Sequence, residues 1–157
     1  MHEAPTPSSL QVQDFVRQAF GWSEADDVDS ALQLRDALDG HERWNSSHRE
    51  STLSEVKQRL LAASRIVVIG AAVSVEDLRS YDVNTAFVAA DGSVGALHDY
   101  SQLICVVSDL DGAKHLDAAA AHGQTILVHA HGDNKSQWQD RIIPVSYTHL
   151  RAHETSY

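Results

Sequence analysis

Apolar residues recur every three or four positions along the first part of the chain, which is the spacing of an amphipathic helix. A first helix is predicted from Leu10 to the glycine at Gly21, and a second after Ser23, a residue type that favours helix N-caps. A third helix is predicted from Thr52, because a glutamate three residues later completes a capping box. We therefore expect an N-terminal helical segment over residues 10–63.

Each of these helices has an apolar stripe that is expected to face the core. The stripe positions are Val12, Phe15, Val16, Ala19 and Phe20 in the first helix, Val28, Ala31, Leu32 and Leu38 in the second, and Leu53, Val56, Leu60 and Leu61 in the third. Residues 1–9 have two prolines and no periodicity, so they predict a flexible lead-in. The polar stretch His41–Ser51 predicts a connector.

From Arg65 the pattern changes to four short apolar runs that end in glycine or polar residues. The runs are Ile66–Ile69, Thr85–Ala90, Leu103–Val107 and Thr125–Val128, separated by the helical stretches Val75–Ser80, Ser93–Asp99 and Ala113–His122. Uninterrupted apolar runs are typical of strands that are covered on both faces, as in parallel sheets. The alternation of strands and helices predicts an α/β fold, with an open, doubly wound, mostly parallel sheet over residues 64–143.

Composition narrows the class of protein. The 157 residues include 12 Lys and Arg against 22 Asp and Glu, a net charge of −10. This balance argues against nucleic acid or an anionic membrane as a partner, because both require a basic surface. The single cysteine, Cys105, excludes an intramolecular disulfide and predicts a buried thiol. With neither an apolar run of membrane-spanning length nor a signal-peptide pattern, we expect a soluble, cytoplasmic protein.

The C-terminal residues differ from the rest. Residues 144–157 have neither alternation nor a helical stripe, and the codons of Val145–Glu154 can be written as a transposase adapter used for sequencing libraries. We interpret residues 144–157 as a non-native tail and expect the natural chain to be cut short near Ile143. Such a tail is expected to lie off the sheet and to leave the fourth strand with an exposed, self-associating edge.

The candidate site follows from where the strands end, because open α/β sheets bind ligands beyond the carboxyl ends of their strands. Four polar or glycine-rich stretches meet there: Gly70–Ser74, Ala90–Gly92, Ser108–Gly112 and His129–Asn134. Asp109 and Asp111 are two residues apart, so both side chains point to the same side of an extended strand. Two adjacent carboxylates repel unless a cation lies between them, and Mg²⁺ prefers such oxygen ligands. The alternative is an ordinary solvated Asp-Gly turn, for Asp91 as well as for Asp111.

The other strand ends suggest ligand contacts. Gly70 permits close backbone approach, and Ser74 caps a helix whose free N–H groups suit an anion, although the further glycines of a dinucleotide fingerprint are absent. His129 and His131 share one side of an extended strand and, with Asp109, would form a zinc site; hydrogen bonding to a ligand or to the loop is the favoured interpretation. The pair Asp133 and Asn134 caps the next helix or contacts the ligand.

Three of these motifs together resemble one family. Ala-Asp-Gly-Ser at 90–93, Ser-Asp-Leu-Asp-Gly at 108–112 and His-Ala-His-Gly-Asp-Asn at 129–134 resemble the archaeal 6-hydroxymethyl-7,8-dihydropterin diphosphokinases of the MptE-like family. The resemblance covers about residues 12–134. It implies transfer of diphosphate from ATP to the hydroxymethyl group of a reduced pterin, with release of AMP. A looser likeness extends to thiamine diphosphokinases.

The resemblance also implies roles for the residues. Asp109 and Asp111 would be catalytic ligands of Mg²⁺, with Asp91 as a third ligand, direct or through water. The nucleotide would contact Gly70, Ser74, Asp91 and Gly92, and the pterin or phosphate would contact His129, His131, Asp133 and Asn134. The small-molecule substrates, ATP and a reduced pterin, are thus the implied partners, and whether the protein is also a homo-oligomer stays open.

Two departures from the family pattern bear on activity. Family members usually have Gly-x-Gly-Pro-Ser-Leu in the first turn, whereas residues 70–75 keep only its first Gly and its Ser, and Ala72 and Val73 add side chains where the backbone should approach the nucleotide. Members also continue with further strands, so the activity is expected of the full-length form and this shorter chain is expected to be inactive.

Three alternatives stay open. A thiamine diphosphokinase-like enzyme shares the metal chemistry, but the His129/His131 motif speaks against it. A flagellin-modifying glycosyltransferase of the same broad superfamily would be much longer. A non-catalytic nucleotide-binding module would leave the aspartates as solvated turns.

Overall fold

The computed structural model describes residues 9–21, 23–41, 44–141 and 150–152. The lead-in predicted for residues 1–9 lies outside the described residues except for Ser9, which begins the first helix. None of the described helices is both long enough and apolar enough to cross a membrane.

Helices and strands alternate along the described chain from the end of the third helix. The helices are α1 (Ser9–Phe20), α2 (Glu24–Asp39), α3 (Ser46–Ala62), α4 (Val75–Leu78), α5 (Ala113–Ala121) and α6 (Lys135–Arg141). The strands are β1 (Arg65–Ile69), β2 (Thr85–Ala90), β3 (Leu103–Ser108), β4 (Ile126–Val128) and β5 (Leu150–Ala152). Two 3₁₀ helices, Asp91–Ala96 and Gly132–Asn134, directly follow β2 and the loop after β4.

The strands form one parallel sheet whose order follows the chain, from β1 to β5. The register places Val67 beside Phe87, Ala89 beside Val106, and Val106 beside Ile126. The predicted α/β class, with a parallel sheet and an N-terminal helical segment, is confirmed. The four predicted strands lie within about one residue of their expected bounds, because continuous apolar runs bounded by polar residues mark buried strands clearly.

The two faces of the sheet pack against different helices. Alternate strand residues such as Phe87 and Ala89 belong to the larger core, which also contains Leu34 of α2, Leu116 of α5 and Trp138 of α6. Because the strand order is sequential, crossovers of one hand place the connecting helices on one face, where these three helices also pack. The doubly wound arrangement is therefore the part of the fold prediction that is wrong, since it requires the strand order to reverse within the sheet.

The opposite face is covered by α3. Val56 packs there against Ile104 and Cys105. Arg59 crosses from α3 to the sheet, where its guanidinium donates to the Leu103 carbonyl oxygen at 2.8 Å. The predicted buried thiol is confirmed, and burial raises the pKa of Cys105 to about 11.

Several predicted helix faces are wrong. The α1 stripe faces solvent, and Phe15 is 72% exposed. In α2 the buried face runs through Ala31, Leu34 and Leu38. The prediction is therefore confirmed for Ala31 and Leu38 and wrong for Val28 and Leu32, which are exposed because the buried face is centred on Leu34. The other exposed stripe positions are Val12, Val16, Ala19 and Phe20 in α1 and Leu53 and Leu61 in α3.

The connector predicted over His41–Ser51 is also wrong in part, since α3 begins at Ser46. Its N-cap is Asn45, whose side chain accepts from the His48 N–H at 3.1 Å. Thr52 lies inside the helix and donates to the His48 carbonyl oxygen instead of capping a helix. The helix predicted over Ser93–Asp99 is likewise replaced by the shorter 3₁₀ helix.

The expectation that the residues after 144 lie off the sheet is wrong for Leu150–Ala152. These residues form β5, which pairs in parallel with β4, so β4 is not the edge strand of the described sheet. The rest of the predicted tail lies outside the described residues, and its origin in an adapter stays a prediction.

Candidate functional site

Three aspartates converge at the carboxyl ends of β2 and β3. Asp91 directly follows β2, and Asp109 and Asp111 follow β3. Each side chain offers a carboxylate oxygen, and these oxygens lie within 4.8 Å of one another. We call these three residues the aspartate cluster. The predicted convergence of Asp91 with Asp109 and Asp111 is therefore confirmed.

The backbone around the cluster is strained. Asp91 has a φ of 52° and Leu110 a φ of 80°, both in the left-handed region that side-chain-bearing residues rarely adopt. Leu110 is buried, so its side chain holds this turn in the core while the flanking aspartates face outward. Such strain is typical of functional sites, where the surrounding structure determines an otherwise unfavourable conformation.

Two glycines allow the two loops to approach. A Cβ atom on Gly112 would lie 2.6 Å from the backbone nitrogen of Gly92 and 2.9 Å from Oδ1 of Asp91. Only a residue without a side chain fits between the loops. Each glycine follows an aspartate of the cluster, so the Asp-Gly pairs bring their carboxylates together by packing backbone against backbone.

Hydrogen bonds fix Asp91 in place. Its Oδ1 accepts from the Ser108 hydroxyl at 2.5 Å and from the Gly112 N–H at 2.9 Å. The Ser108 oxygen in turn accepts from the Leu110 N–H at 2.8 Å. Burial raises the pKa of Asp91, and neighbouring Asp109 raises it further, while the bonds from Ser108 and Gly112 oppose this rise.

The other two carboxylates have partners of their own. Oδ1 of Asp109 accepts from the Asp111 N–H at 3.3 Å, and Oδ1 of Asp111 accepts from Nε2 of Gln137 at 3.2 Å. Nε2 of His131 lies 3.9 Å from Oδ2 of Asp109. The donors that hold the cluster are thus neutral. Among the described residues, no lysine or arginine forms an ion pair with any of the three aspartates.

This donor set fits a divalent cation with oxygen ligands. Three carboxylates without a thiolate favour Mg²⁺ over zinc. The raised pKa of Asp91 reflects burial and proximity to Asp109, and a bound cation would relieve both unfavourable effects. The zinc alternative is not supported, since His129, His131 and Asp109 do not form a convergent three-ligand group among the described residues.

A cavity of about 680 Å³ lies on one side of the cluster, between the α1–α2 junction and the loops after β3 and β4. We call it the histidine cavity, because His129 and His131 line it. Their rings meet edge to face, with centroids 5.7 Å apart. The cavity wall closes where the Gly132 N–H donates to Oδ1 of Asp27 on α2 at 3.1 Å.

A second cavity of about 670 Å³ lies on the other side of the cluster, between the loops after β1 and β2 and the start of α5. We call it the glycine-loop cavity; its lining includes Ser74, Asp91, Gly92, Gly112 and His115. Asp111 lines both cavities, so it stands at the boundary between them.

Residues 70–74 form the turn that is predicted to hold the nucleotide, and some of its backbone N–H groups already donate hydrogen bonds to nearby residues. The Ser74 N–H donates to Oδ2 of Asp77 at 2.9 Å, in a capping box that opens α4, and the Val73 N–H donates to the Gly70 carbonyl oxygen at 3.1 Å. The bonds from Ser74 lower the pKa of Asp77. Ser74 lines the glycine-loop cavity and Gly70 does not, so the N-cap prediction is confirmed while phosphate binding by this turn stays a prediction.

Asn134 braces the loop that follows β4. Its side-chain amide donates to the carbonyl oxygens of Asp109 at 2.9 Å and His129 at 2.7 Å, and its Oδ1 accepts from the His131 N–H at 2.9 Å. It lines the histidine cavity, but these bonds occupy its polar atoms. Asn134 therefore positions the two histidines, while Asp133 is exposed at the cavity wall.

Sequence reasoning missed four residues at this site. Ser108 and Gln137 hold cluster aspartates, and Arg17 and Asp27 reach the histidine cavity from the N-terminal helices. Only Ser108 carried a signal, because it begins the Ser-Asp-Leu-Asp-Gly motif. Arg17 lies in a helix whose pattern indicated packing alone, and nothing in the sequence connects it to a strand end.

No protein-family model matches the chain, and a search of curated proteins found no match either.

Proposed function

We propose that the protein is a cytoplasmic, Mg²⁺-dependent diphosphotransferase that moves diphosphate from ATP to the hydroxymethyl group of a reduced pterin and releases AMP. The single observation that carries this proposal is the placement of the aspartate cluster between two cavities that share Asp111. Group transfer between two small molecules needs this arrangement, because both substrates must meet at the metal.

The two cavities suit the two substrates. Each has the size typical of small-molecule sites, about 300–1,000 Å³. We assign the nucleotide to the glycine-loop cavity, where Ser74 and the start of α5 offer polar groups, and the pterin to the histidine cavity. Asp109, which lines the histidine cavity, and Asp91, which lines the other, then approach the reacting groups from opposite sides.

In the proposed reaction the acceptor hydroxyl oxygen forms a bond to the β-phosphorus of ATP. The bond from that phosphorus to the α,β-bridging oxygen breaks, and AMP leaves with the bridging oxygen. Bound Mg²⁺ would neutralise the polyphosphate charge, and Asp91, Asp109 and Asp111 would hold it. The acceptor proton would pass to Nε2 of His131, which lies beside Asp109 at the histidine cavity.

A second candidate is a thiamine diphosphokinase-like activity, favoured by the charge of the histidine cavity. Five aspartates line it against one arginine: Asp26, Asp27, Asp109, Asp111, Asp133 and Arg17. A cationic acceptor such as a thiazolium would be attracted to that wall, whereas a neutral pterin would be bound by hydrogen bonds from its N–H groups.

The test is AMP release from ATP by the full-length form, with a reduced pterin, with thiamine and without acceptor, in parallel with Mg²⁺-dependent ATP binding by calorimetry. We expect pterin-dependent AMP release that Asp109→Asn or Asp111→Asn lowers by about 10²-fold or more, because Asn keeps the shape but removes a ligand charge. Asp140→Asn, an exposed aspartate of α6, is the matched control. Thiamine-dependent release would select the second candidate. Wild-type ATP binding in both cluster variants would make the aspartates ordinary turn residues of a non-catalytic module.

A further inference from the structure

Arg17 is the only lysine or arginine among the described residues that line the two cavities. We propose that Arg17 is a phosphate-binding residue, which contacts the diphosphate group in the histidine cavity as that group reaches the acceptor. This inference rests on the proposed function. The inference assigns a role to α1. Most apolar residues of this helix face solvent, but Val16 and Arg17 line the histidine cavity.

The present partners of Arg17 hold it loosely. One guanidinium nitrogen lies 3.4 Å from Oδ2 of Asp27, and another lies 3.9 Å from Glu24, both longer than usual for charge-assisted hydrogen bonds. Arg49 shows the contrast, because it lies 2.6 Å from Asp39 and donates to the Trp44 carbonyl oxygen at 2.6 Å. Arg49 thus has the contacts of a structural arginine, and Arg17 does not.

If Arg17 moved away, its main partner, Asp27, would still accept a hydrogen bond. Asp27 uses its other oxygen, Oδ1, to accept from the Gly132 N–H at 3.1 Å, so its place in the cavity wall does not depend on the arginine. The planar guanidinium can then pair with two phosphate oxygens at once, which is stronger than either present contact.

Charge supports the same role. A diphosphate that enters the histidine cavity faces five aspartates, and Mg²⁺ at the aspartate cluster neutralises only part of its charge. Arg17 is the one permanent cation that the described lining adds. It stands on α1, so it lines the cavity from a different element than the strand ends that carry the cluster.

The experiment measures binding of inorganic pyrophosphate in the presence of Mg²⁺ by calorimetry, on the whole chain. We expect Arg17→Gln to weaken binding by about 10–100-fold, the value of one charged, bidentate contact. Arg35→Gln is the matched control, since Arg35 is also paired with an aspartate but lines neither cavity. Circular dichroism and thermal melting verify that each variant is folded.

Asp27→Asn separates phosphate binding from a structural role. It removes the ion pair but keeps the cation, so we expect unchanged or tighter pyrophosphate binding. Equal weakening by Arg17→Gln and Asp27→Asn would overturn the proposal, as would wild-type affinity in Arg17→Gln or an absence of pyrophosphate binding by the unaltered chain. The AMP-release assay decides the proposed function separately: acceptor-dependent release with no effect of Arg17→Gln on pyrophosphate binding would leave the function standing and remove this role of Arg17.

Discussion

The backbones of Gly92 and Gly112 lie in contact between two aspartates that must converge for a metal to bind. A methyl group on Gly112 would meet backbone atoms of Gly92 at 2.6 and 2.8 Å, and backbone gives way less easily than a flexible side chain. We expect Gly112→Ala to lower the free energy of unfolding by about 1–3 kcal/mol, the usual cost of overpacking. We also expect it to weaken Mg²⁺ binding, because the loops separate.

Gly40→Ala provides the control for this prediction. Its added Cβ would lie 3.7 Å from the nearest backbone oxygen, an ordinary contact, and its φ of −73° suits alanine. Urea denaturation and Mg²⁺ calorimetry on both variants measure the two effects. Equal stability of Gly112→Ala and Gly40→Ala would show that the loops are not packed as described.

A second prediction at the scale of single residues concerns Asp91 and the pH dependence of the free energy of unfolding. Its pKa is raised in the folded state, mainly by burial, so the ionised carboxylate destabilises the fold at pH values above that folded pKa. This penalty is absent at pH values below the pKa of Asp91 in the unfolded chain, because the carboxyl group is then protonated in both the folded and the unfolded state. We therefore expect Asp91→Asn, without metal, to raise stability at neutral pH and to lose this advantage in acid.

Urea midpoints across a pH series measure this difference, with Asp140→Asn as the control for removal of one exposed negative charge. A neutral-pH midpoint of Asp91→Asn below that of the unaltered chain would contradict the prediction. The same variant should bind Mg²⁺ more weakly, so stability and metal affinity should move in opposite directions.

The sequence predicted those site residues whose position follows from the ends of the strands that carry them. Asp109 and Asp111 are predicted to share a side as alternate positions of an extended strand, but β3 ends at Ser108 and Leu110 is left-handed, so a turn brings the two carboxylates together. Asp91 joins them because neighbouring parallel strands end at one edge. Ser108 and Arg17 were missed for different reasons. The role of Ser108 depends on a bond to a residue of another strand, and that of Arg17 on how a helix docks against the sheet.

Among the elements, the loop after β4 depends on one buried side chain. Asn134 is 2% exposed, and its amide joins the backbone after β3 to the backbone of His129 and His131. We expect Asn134→Ala to lower the free energy of unfolding by about 2–4 kcal/mol, because several buried backbone groups lose their partner. Asn84→Ala, in an exposed turn, should change stability by less than about 0.5 kcal/mol.

Thermal or urea denaturation measures the two asparagine variants, and calorimetry with ATP reports on the cavity. If Asn134 instead served only as a ligand contact, Asn134→Ala would weaken ligand binding and leave stability near that of Asn84→Ala. The outcome therefore separates the predicted ligand role from the bracing role that its hydrogen bonds indicate.

Strands were predicted better than helices for a physical reason. A strand buried on both faces reads as an uninterrupted apolar run, whatever packs on it. A helix stripe shows that a helix is amphipathic but does not fix which neighbour covers it, so the stripe of α1 could face solvent. The start of α3 was missed because its cap is Asn45, whereas a capping-box pattern stood inside the helix at Thr52.

At the scale of the whole molecule, α3 covers only part of the sheet face on which it packs. Val56 of α3 covers the centre of the sheet, while Ile66 and Val68 on β1 are 45% and 71% exposed. β1 is also an edge of the described sheet, and β5 removes the edge that was expected at β4. Exposed β-branched residues on an edge strand favour association between chains, so the predicted self-association moves from β4 to β1.

We expect Val68→Lys to reduce self-association, because a lysine on an edge strand opposes pairing with a second chain. Val83→Lys adds the same charge at a position that is 86% exposed in the turn before β2, and it serves as the matched control. Light scattering over a concentration series measures the mass of both variants and of the unaltered chain. Mg²⁺ binding should be the same in all three, since neither valine lines a cavity beside the aspartate cluster. An equal fall in mass for both variants would assign the effect to net charge, and a constant mass for the unaltered chain would show that β1 does not associate.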